Sequence, residues 1–487
     1  LGCYNFHKNV HLLRGEILMA QIGTPENPLR VAIIGSGPSG FYAADHLQKQ
    51  KDITVQIDMY DKLPTPFGLV RGGVAPDHQK IKSVTKVYDK IADNPNFRFY
   101  GHVEFGKDIT YADLADHYHA VIYAVGAQTD RALGIAGEHL IGSHAATEFV
   151  GWYNGHPDYR HLQFDLSQKS AAIIGVGNVA MDVARILARS QAELMTTDIA
   201  DYALEALAKS NITDIHIFGR RGPAQAAFTN PEIKELGEME EADLIIAPEE
   251  IALDPFSRAY LESADADKKD VKNVQIMEEL AKRAPEGKRK RLYMHFLASP
   301  LELMGTECVE KMLVVHNELI PDDKGELRPR ATERHTTYDV GLVFRSVGYM
   351  GVALPDVPFY EKWGTIPHRL GRVLTAHNSD TPHVGNYVVG WIKRGPSGII
   401  GTNKPDSIET ADSLLADFRA GQVLSPQNPS REAVESLLKG RGVRVVTYAD
   451  WQRLDRLEVA RGEAVGRPRL KFCSVVEMLT ALDENPS

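Results

Sequence analysis

The sequence predicts an α/β protein with mostly parallel sheets, built around two strand–turn–helix units. Near residue 30, and again near residue 170, a short apolar run enters a glycine-rich turn and continues as a helical pattern. Elsewhere apolar runs of strand length alternate with helical periodicity, as expected for parallel strands joined by crossover helices. No short fixed-period repeat competes with this reading.

At 487 residues the chain is long enough for two or three cores. A net charge of −10 argues against nucleic acid or an anionic membrane as a general partner. No run of about 18 apolar residues is present, so no transmembrane helix is expected. Cys3, Cys308 and Cys473 form no C-x-x-C pair and no zinc or iron–sulfur spacing. We therefore expect no metal site, no redox disulfide and a reducing compartment. Residues 1–28 read as an N-terminal extension. Residues 1–18 lack the apolar core of a secretory signal, and Met19-Ala20-Gln21 reads as a natural start, with a degraded transit peptide the weaker alternative.

The first unit runs from Leu29–Ile34 into Gly35-Ser36-Gly37-Pro38-Ser39-Gly40 and a helical stretch Phe41–Gln50. This is G-x-G-x-x-G in the context that gives it meaning: Gly35 for the tight turn, Gly37 for close approach of a pyrophosphate, Gly40 for helix–strand packing. The phosphate would face the helix N-terminus. A second strand, Ile53–Tyr60, ends at Asp61, 21 residues beyond Gly40, where a carboxylate can accept the ribose hydroxyls of an adenosine.

In the second unit, Ser170–Ile174 leads into Gly175-Val176-Gly177-Asn178-Val179-Ala180 and a helix through Ala188. Alanine takes the third glycine's packing role. The next strand, Ile212–Phe218, ends in Gly219-Arg220-Arg221-Gly222, where an NAD site would place its acid. Two guanidinium groups there can clamp a 2′-phosphate, which assigns NADP(H) to this unit. The long interval before that strand predicts an inserted helix from about Gln191 to Lys209. Segments 229–250 and 255–295 read as helices and surface loops. In the tail, Leu470–Phe472 reads as a strand end and Val475–Leu479 as a short helix.

Two further stretches bear on the first unit. The loop Pro64–His78 is rich in proline and glycine, and its small residues permit close approach to a flat ring. From the residues alone an ordinary surface loop remains the other reading. Tyr387–Asn403 is a strand meeting a second glycine-rich turn. Trp391 there reads as either core or cofactor cover, and the amides near Gly398–Ile400 can reach a flavin edge.

At these residues the chain resembles the adrenodoxin reductase family, with its bacterial ferredoxin–NADP reductases. The resemblance rests on Ile34–Gly40, Pro66–Arg71 through Val74–His78, Gly175–Arg185 with Gly219–Phe228, and Val389–Asn403, with Trp451 and Gly466-Arg467-Pro468-Arg469 near the end. It implies two Rossmann-like domains of the glutathione-reductase type, an NADP domain at 129–354 inserted into an FAD domain at 29–128 and 355–487. The implied FAD residues are Gly35, Ser36, Gly37, Pro38, Ser39, Gly40, Asp61, Lys62, Gly68, Leu69, Val103, Gly390, Trp391, Gly398, Ile399 and Ile400. For NADP they are Gly175, Gly177, Asn178, Val179, Arg220, Arg221 and Glu232, with Trp391 and Gly398 beside the nicotinamide. Glu232 is expected at the adenosine ribose with the arginine pair. Pro231 departs from the family's run before that glutamate. His78 and Asp182 are implied near the redox centre, for hydrogen bonding or proton handling.

The resemblance implies an NADPH:ferredoxin oxidoreductase, passing hydride between NADP(H) and FAD and single electrons to an iron–sulfur protein, as a monomer. The bacterial-type cytoplasm is its expected location, with the mitochondrial matrix second. Lys234, Lys282, Arg283, Lys288, Arg289, Lys290 and Arg291 form basic runs that could dock an acidic ferredoxin. Two other functions stay open: an NADPH-dependent flavin monooxygenase or oxidase, and an electron-input subunit of a larger complex. The first lacks a separate substrate domain; the second lacks the cysteine runs of such subunits.

Overall fold

Every residue of the strand β1 (Leu29–Ile34) is buried, because it is an interior strand of a sheet with helices on both faces. The computed structural model describes residues 22–485. The expected start at Met19, Cys3 and the first 21 residues of the N-terminal extension lie outside them. In this first sheet β1 lies between β2 (Val55–Asp61) and β4 (Ala120–Tyr123), with β3 (Phe97–Gly101) beyond β2. All four strands are parallel, in a register that pairs Leu29 with Val55 and Ile34 with Tyr60. A strand from late in the chain, Pro382–Val388, joins parallel to β4 and carries two short antiparallel strands at its outer edge. The helix α1 (Pro38–Gln48) follows β1, burying Phe41, Ala43, Ala44 and Leu47. The long helix α3 (Asn403–Arg419) lies alongside it.

A second sheet is wholly parallel, in the order β5 (Ser143–Ala145), β10 (Leu342–Arg345), β6 (Ser170–Ile174), β7 (Asp214–Phe218), β9 (Lys290–His295) and β8 (Ala242–Ile245). The helix α2 (Asn178–Ala188) packs on one face in a large apolar cluster with Ile173, Ile215 and Leu292. On the other face, Phe218 and Val343 meet Met312 and Val314 of a three-stranded antiparallel sheet. A two-stranded ribbon, Thr129–Asp130 against Tyr349–Met350, lies where the chain passes between the two large sheets. The chain is thus α/β with two Rossmann-type parallel sheets.

Several local expectations are corrected. The helix expected over 191–209 is two short ones, Gln191–Leu194 and Asp201–Ala208. Thr197 breaks it: its hydroxyl donates to the Leu194 carbonyl and accepts from the Ile199 amide, an alternative to the helical ladder. The stretch 229–295, expected as helices and loops, also contains β8 and β9. Lys290 is consequently buried, and its Nζ donates to the Leu187 carbonyl at 2.6 Å, capping the C-terminus of α2. Burial pushes that ammonium down to about 8. Lys290 is therefore not a surface docking residue. Leu470–Phe472 forms no strand; instead the Phe472 amide donates to Glu458.

The tail folds into helices Arg431–Gly440, Tyr448–Glu463 and Val475–Glu484. It fastens the Pro64–His78 loop: Trp451 meets Phe67 edge-on at 5.6 Å, and Arg71 pairs with the buried Glu458. Arg467 reaches the Thr197 carbonyl beside the second sheet at 2.9 Å. Among the described residues no helix is long and apolar enough to cross a membrane. Cys308 is exposed and Cys473 buried, both free.

Candidate functional site: two nucleotide turns and a charged junction

At the first turn Gly35 has φ +103°, and a Cβ there would stand 2.5 Å from the Ala124 carbonyl oxygen. A Cβ on Gly40 would come within 2.6 Å of the Gly35 oxygen. Both positions admit only glycine. Gly37 differs, since a Cβ there meets nothing within 4 Å. It caps α1 without a side-chain hydrogen bond, and Pro38 takes the first turn, where its missing N–H costs nothing. The first amides of α1 are thus left for an anion. Asp61 accepts from the Ser36 amide at 3.1 Å, the Ser36 hydroxyl and the Leu63 amide at 3.0 Å. Burial nevertheless raises its pKa.

The proline–glycine loop closes over this turn. The Phe67 amide donates to the Ser36 carbonyl at 2.9 Å, and Gly68, at φ +48°, backs onto Gly37. Leu69 is exposed beside it. Gly390 arrives from 350 residues away. A Cβ there would overlap the Ser39 hydroxyl at 2.2 Å, and its amide donates to Asp406. Trp391 lies 5.3 Å from Tyr349, ring to ring, and donates its indole N–H to the Ser397 carbonyl. Gly398, at φ +79°, and Ile399 follow on the exposed rim, with Ile400 half-buried against the core of the first sheet. Lys62 pairs with Asp158 at 2.6 Å, and the Val103 side chain is enclosed in the core.

The second turn repeats the design. A Cβ on Gly175 would clash with the Ser346 carbonyl at 2.1 Å, Gly177 faces open space, and Ala180 is fully buried. Val179 packs against the cluster on that face. Asn178 accepts from the Thr229 amide at 2.9 Å, tying the turn to the helix Asn230–Leu236. Pro231 fits because it falls in that helix's first turn. Past β7, the carbonyls of Arg220 and Arg221 accept from Asn317 and Leu297. Among the described residues neither guanidinium has an ion-pair partner. Burial and the adjacent Arg220 lower the Arg221 pKa, a strain that an anion would relieve.

Between the turns lies a charged cluster. His78 Nε2 is 3.0 Å from Glu235, and its Nδ1 is 3.8 Å from Asp182. Burial pushes the imidazole down, but the Glu235 hydrogen bond and the nearby carboxylates outweigh it and raise its pKa. Burial raises Asp182, and burial with the Asp182 charge pushes Glu232 up to about 7. Glu232, expected with Arg220 and Arg221, accepts from Arg185 at 2.9 Å. His78, Asp182 and Glu232 lie close enough to converge on a cation, but the Arg185 guanidinium already bridges both carboxylates. Arg185 and Glu235 escaped the sequence reading. The available signal was Asp182, Arg185 and Arg189 on one face of an otherwise apolar helix.

Lys234 lies on the helix Asn230–Leu236, while the runs Lys282–Arg283 and Lys288–Arg291 lead into β9 at the opposite end of the second sheet. Lys288–Arg291 opens β9, whereas nucleotides sit at the C-terminal ends of parallel strands. Arg291 pairs there with Asp214, and Lys288 with Glu286. Lys234, Lys282, Arg283 and Arg289 are exposed.

Residues 29–216 match the family model for pyridine nucleotide-disulphide oxidoreductases. The NADPH-ferredoxin reductase FprA of Mycobacterium leprae is 45% identical over 460 residues, covering 93% of this chain and 98% of the relative. The mitochondrial NADPH:adrenodoxin oxidoreductase of Salvelinus fontinalis is 40% identical, covering 94% of this chain and 91% of its own length. The structure of Mycobacterium tuberculosis FprA in complex with NADPH superposes with a TM-score of 0.87 at 44% identity, covering 93% of this chain and 99% of that one.

Proposed function

The chain belongs to the family of NADPH–ferredoxin reductases and adrenodoxin oxidoreductases, and we propose that it moves reducing equivalents from NADPH through FAD to a small iron–sulfur protein. The observation that carries this is the contrast between the two strand ends: a carboxylate, Asp61, follows the first glycine turn, and an arginine pair follows the second. The residues fit both cofactors. Each turn has a central glycine facing open space and a helix start without a side-chain cap, which together make a pyrophosphate cradle.

In this reading Ser36–Gly40 hold the FAD pyrophosphate, Asp61 its adenosine ribose, and Gly390–Trp391 with Gly398–Ile400 its ring. Gly177–Val179 hold the NADP pyrophosphate, and Arg220 with Arg221 its 2′-phosphate. When bound, FAD supplies the exchange between a two-electron hydride donor and a one-electron acceptor. The protein's own part is alignment and water exclusion. Trp391 shields the ring site, and His78 and Asp182 hold protons at the junction. We assign 29–128 with 355–487 to the FAD unit and 129–354 to the NADP unit, on the strand membership of the two sheets. The free thiols Cys308 and Cys473 suit a reducing cytoplasm.

The test is reduction of a panel of ferredoxins driven by NADPH, with NADH alongside. Rapid NADPH-dependent reduction of at least one low-potential iron–sulfur protein is expected. Flavin reduction without transfer to any member of the panel would leave an oxidase or an electron-input subunit as the better description.

A further inference from the structure

We propose that Arg185 is the positioning residue that holds His78 in one tautomer and one orientation, and does so only when the two units are in register. The inference rests on the reductase reading above. Arg185 is fully buried and carries more polar partners than any other side chain at the junction. Its Nε donates to Asp77 Oδ2 at 2.6 Å, one terminal nitrogen to Glu232 at 2.9 Å, and the other to Asp182 at 2.5 Å and Asp77 Oδ1 at 3.2 Å. That last nitrogen also lies 3.5 Å from His78 Nδ1.

A guanidinium has donors only, so its 3.5 Å approach favours a lone pair, rather than a proton, on His78 Nδ1. In the neutral imidazole the proton therefore sits on Nε2, which is 3.0 Å from Glu235. The ring is fixed from two sides, by a donor at one nitrogen and an acceptor at the other. The two sides come from different parts of the chain. Asp77 and His78 are consecutive on the loop of the first unit, while Asp182 and Arg185 lie on α2 and Glu232 and Glu235 on the helix Asn230–Leu236. Gripping Asp77 thus places the adjoining His78, and Arg189 reinforces the grip at 2.9 Å.

Charge gives Arg185 a second role. The groups facing His78 are Asp77 on its own loop, Asp182 and Arg185 on α2, and Glu232 and Glu235 on the neighbouring helix. Arg189 stands behind Asp77, and the buried Tyr153 hydroxyl, unpartnered, lies within reach of the charges on Asp77, Asp182 and Arg185. The Asp77, Asp182 and Glu235 carboxylates face two guanidinium groups, with the Glu232 carboxyl, pushed up to about 7, beside them. Removing Arg185 deletes the cation that directly opposes protonation of His78, so the ring should hold its proton to higher pH.

The experiment is stopped-flow bleaching of the flavin by NADPH in the holoenzyme, from about pH 5 to 9, for Arg185→Gln and Arg185→Lys. FAD content and Tm are measured in parallel. Arg185→Gln should slow bleaching by about 100-fold, the cost of a small misplacement near the reacting groups, and move the midpoint of the pH profile to higher pH. Arg185→Lys should restore the midpoint while recovering only part of the rate, because an ammonium keeps the charge without the fork. Bleaching at the unmodified rate, or slower bleaching with an unmoved midpoint and a matching loss of FAD, would overturn the proposal. Failure of NADPH to bleach the unmodified holoenzyme would instead remove the reductase reading, and this inference with it.

Discussion

Asp77 and Arg185 stand 108 positions apart and meet as a two-pronged ion pair, with the shorter contact at 2.6 Å. One belongs to the loop over the first glycine turn, the other to the helix that follows the second. Neither charge could be buried alone, since an unpaired ion in a protein interior costs several kcal/mol. A second guanidinium, Arg189, completes the coordination of the Asp77 carboxylate. What such a buried pair confers is mainly registration: the units can pack in one relative placement without stranding a charge.

The Asp77 pair predicts a pH-dependent stability. Burial opposes ionisation, but the Arg185 and Arg189 charges hold the carboxyl well below its ordinary range. A depressed native pKa stabilises the fold fully above the unfolded value of ~3.9, and the contribution fades as pH falls below it. Asp77→Asn should therefore cost about 3–5 kcal/mol at pH 7, with the gap to the parent closing on acidification. Urea unfolding of the holoprotein at neutral and acid pH measures it. A gap that stays constant would mean that Asp77 contributes by shape alone.

This junction also marks where sequence reasoning stopped. Gly35 and Gly175 were legible because a left-handed turn hard against a carbonyl is a local demand. Asp61 and the arginine pair stood out because each ends the strand that follows a glycine turn, another local quantity. Arg185 was not, because its meaning depends on Asp77, which only the fold brings near. Lys290 misled for the same reason. In a run of four cations it reads as surface, yet β9 inserts between β7 and β8 and turns that side chain inward to the end of α2. The bond between Glu232 and Arg185 was out of reach for the same reason, since the fold alone brings that helix beside α2.

The arginine pair predicts cofactor preference. Each guanidinium would make charge-assisted hydrogen bonds to a 2′-phosphate, worth about 1.5–3 kcal/mol apiece. Replacing Arg220 and Arg221 with Ala should raise KM for NADPH by about 10- to 100-fold or more while moving KM for NADH little. Both constants come from steady-state assays with an artificial acceptor. An unchanged ratio between the two nucleotides would remove the 2′-phosphate from this site.

Glu232 predicts a titration near neutrality. Its carboxyl, pushed up to about 7, favours the protonated form in the native state. A raised native pKa means that its contribution to stability declines as pH rises from ~4.3 toward 7. Glu232→Gln, a neutral isostere, should match the parent at acid pH and gain on it above neutrality. The same variant should flatten any limb near pH 7 in the rate of flavin reduction by NADPH. A limb that survives intact would belong to another group, His78 being the nearest.

The two glycines of the second turn predict opposite outcomes for one substitution. At Gly175 a Cβ would stand 2.1 Å from the Ser346 carbonyl with φ at +131°, so Gly175→Ala must distort the junction of β6 and β10. Such strain belongs to the class that destabilises by several kcal/mol. At Gly177 the same methyl meets nothing within 4 Å, and the backbone is extended. Gly177→Ala should leave Tm nearly unchanged, yet the methyl would stand where a pyrophosphate must approach the backbone. KM for NADPH should then rise by about tenfold or more, the effect of losing at least 1.4 kcal/mol of binding. Thermal unfolding together with steady-state kinetics separates the two glycines. A Gly177→Ala protein that keeps both its Tm and its KM would place the NADP pyrophosphate away from this turn.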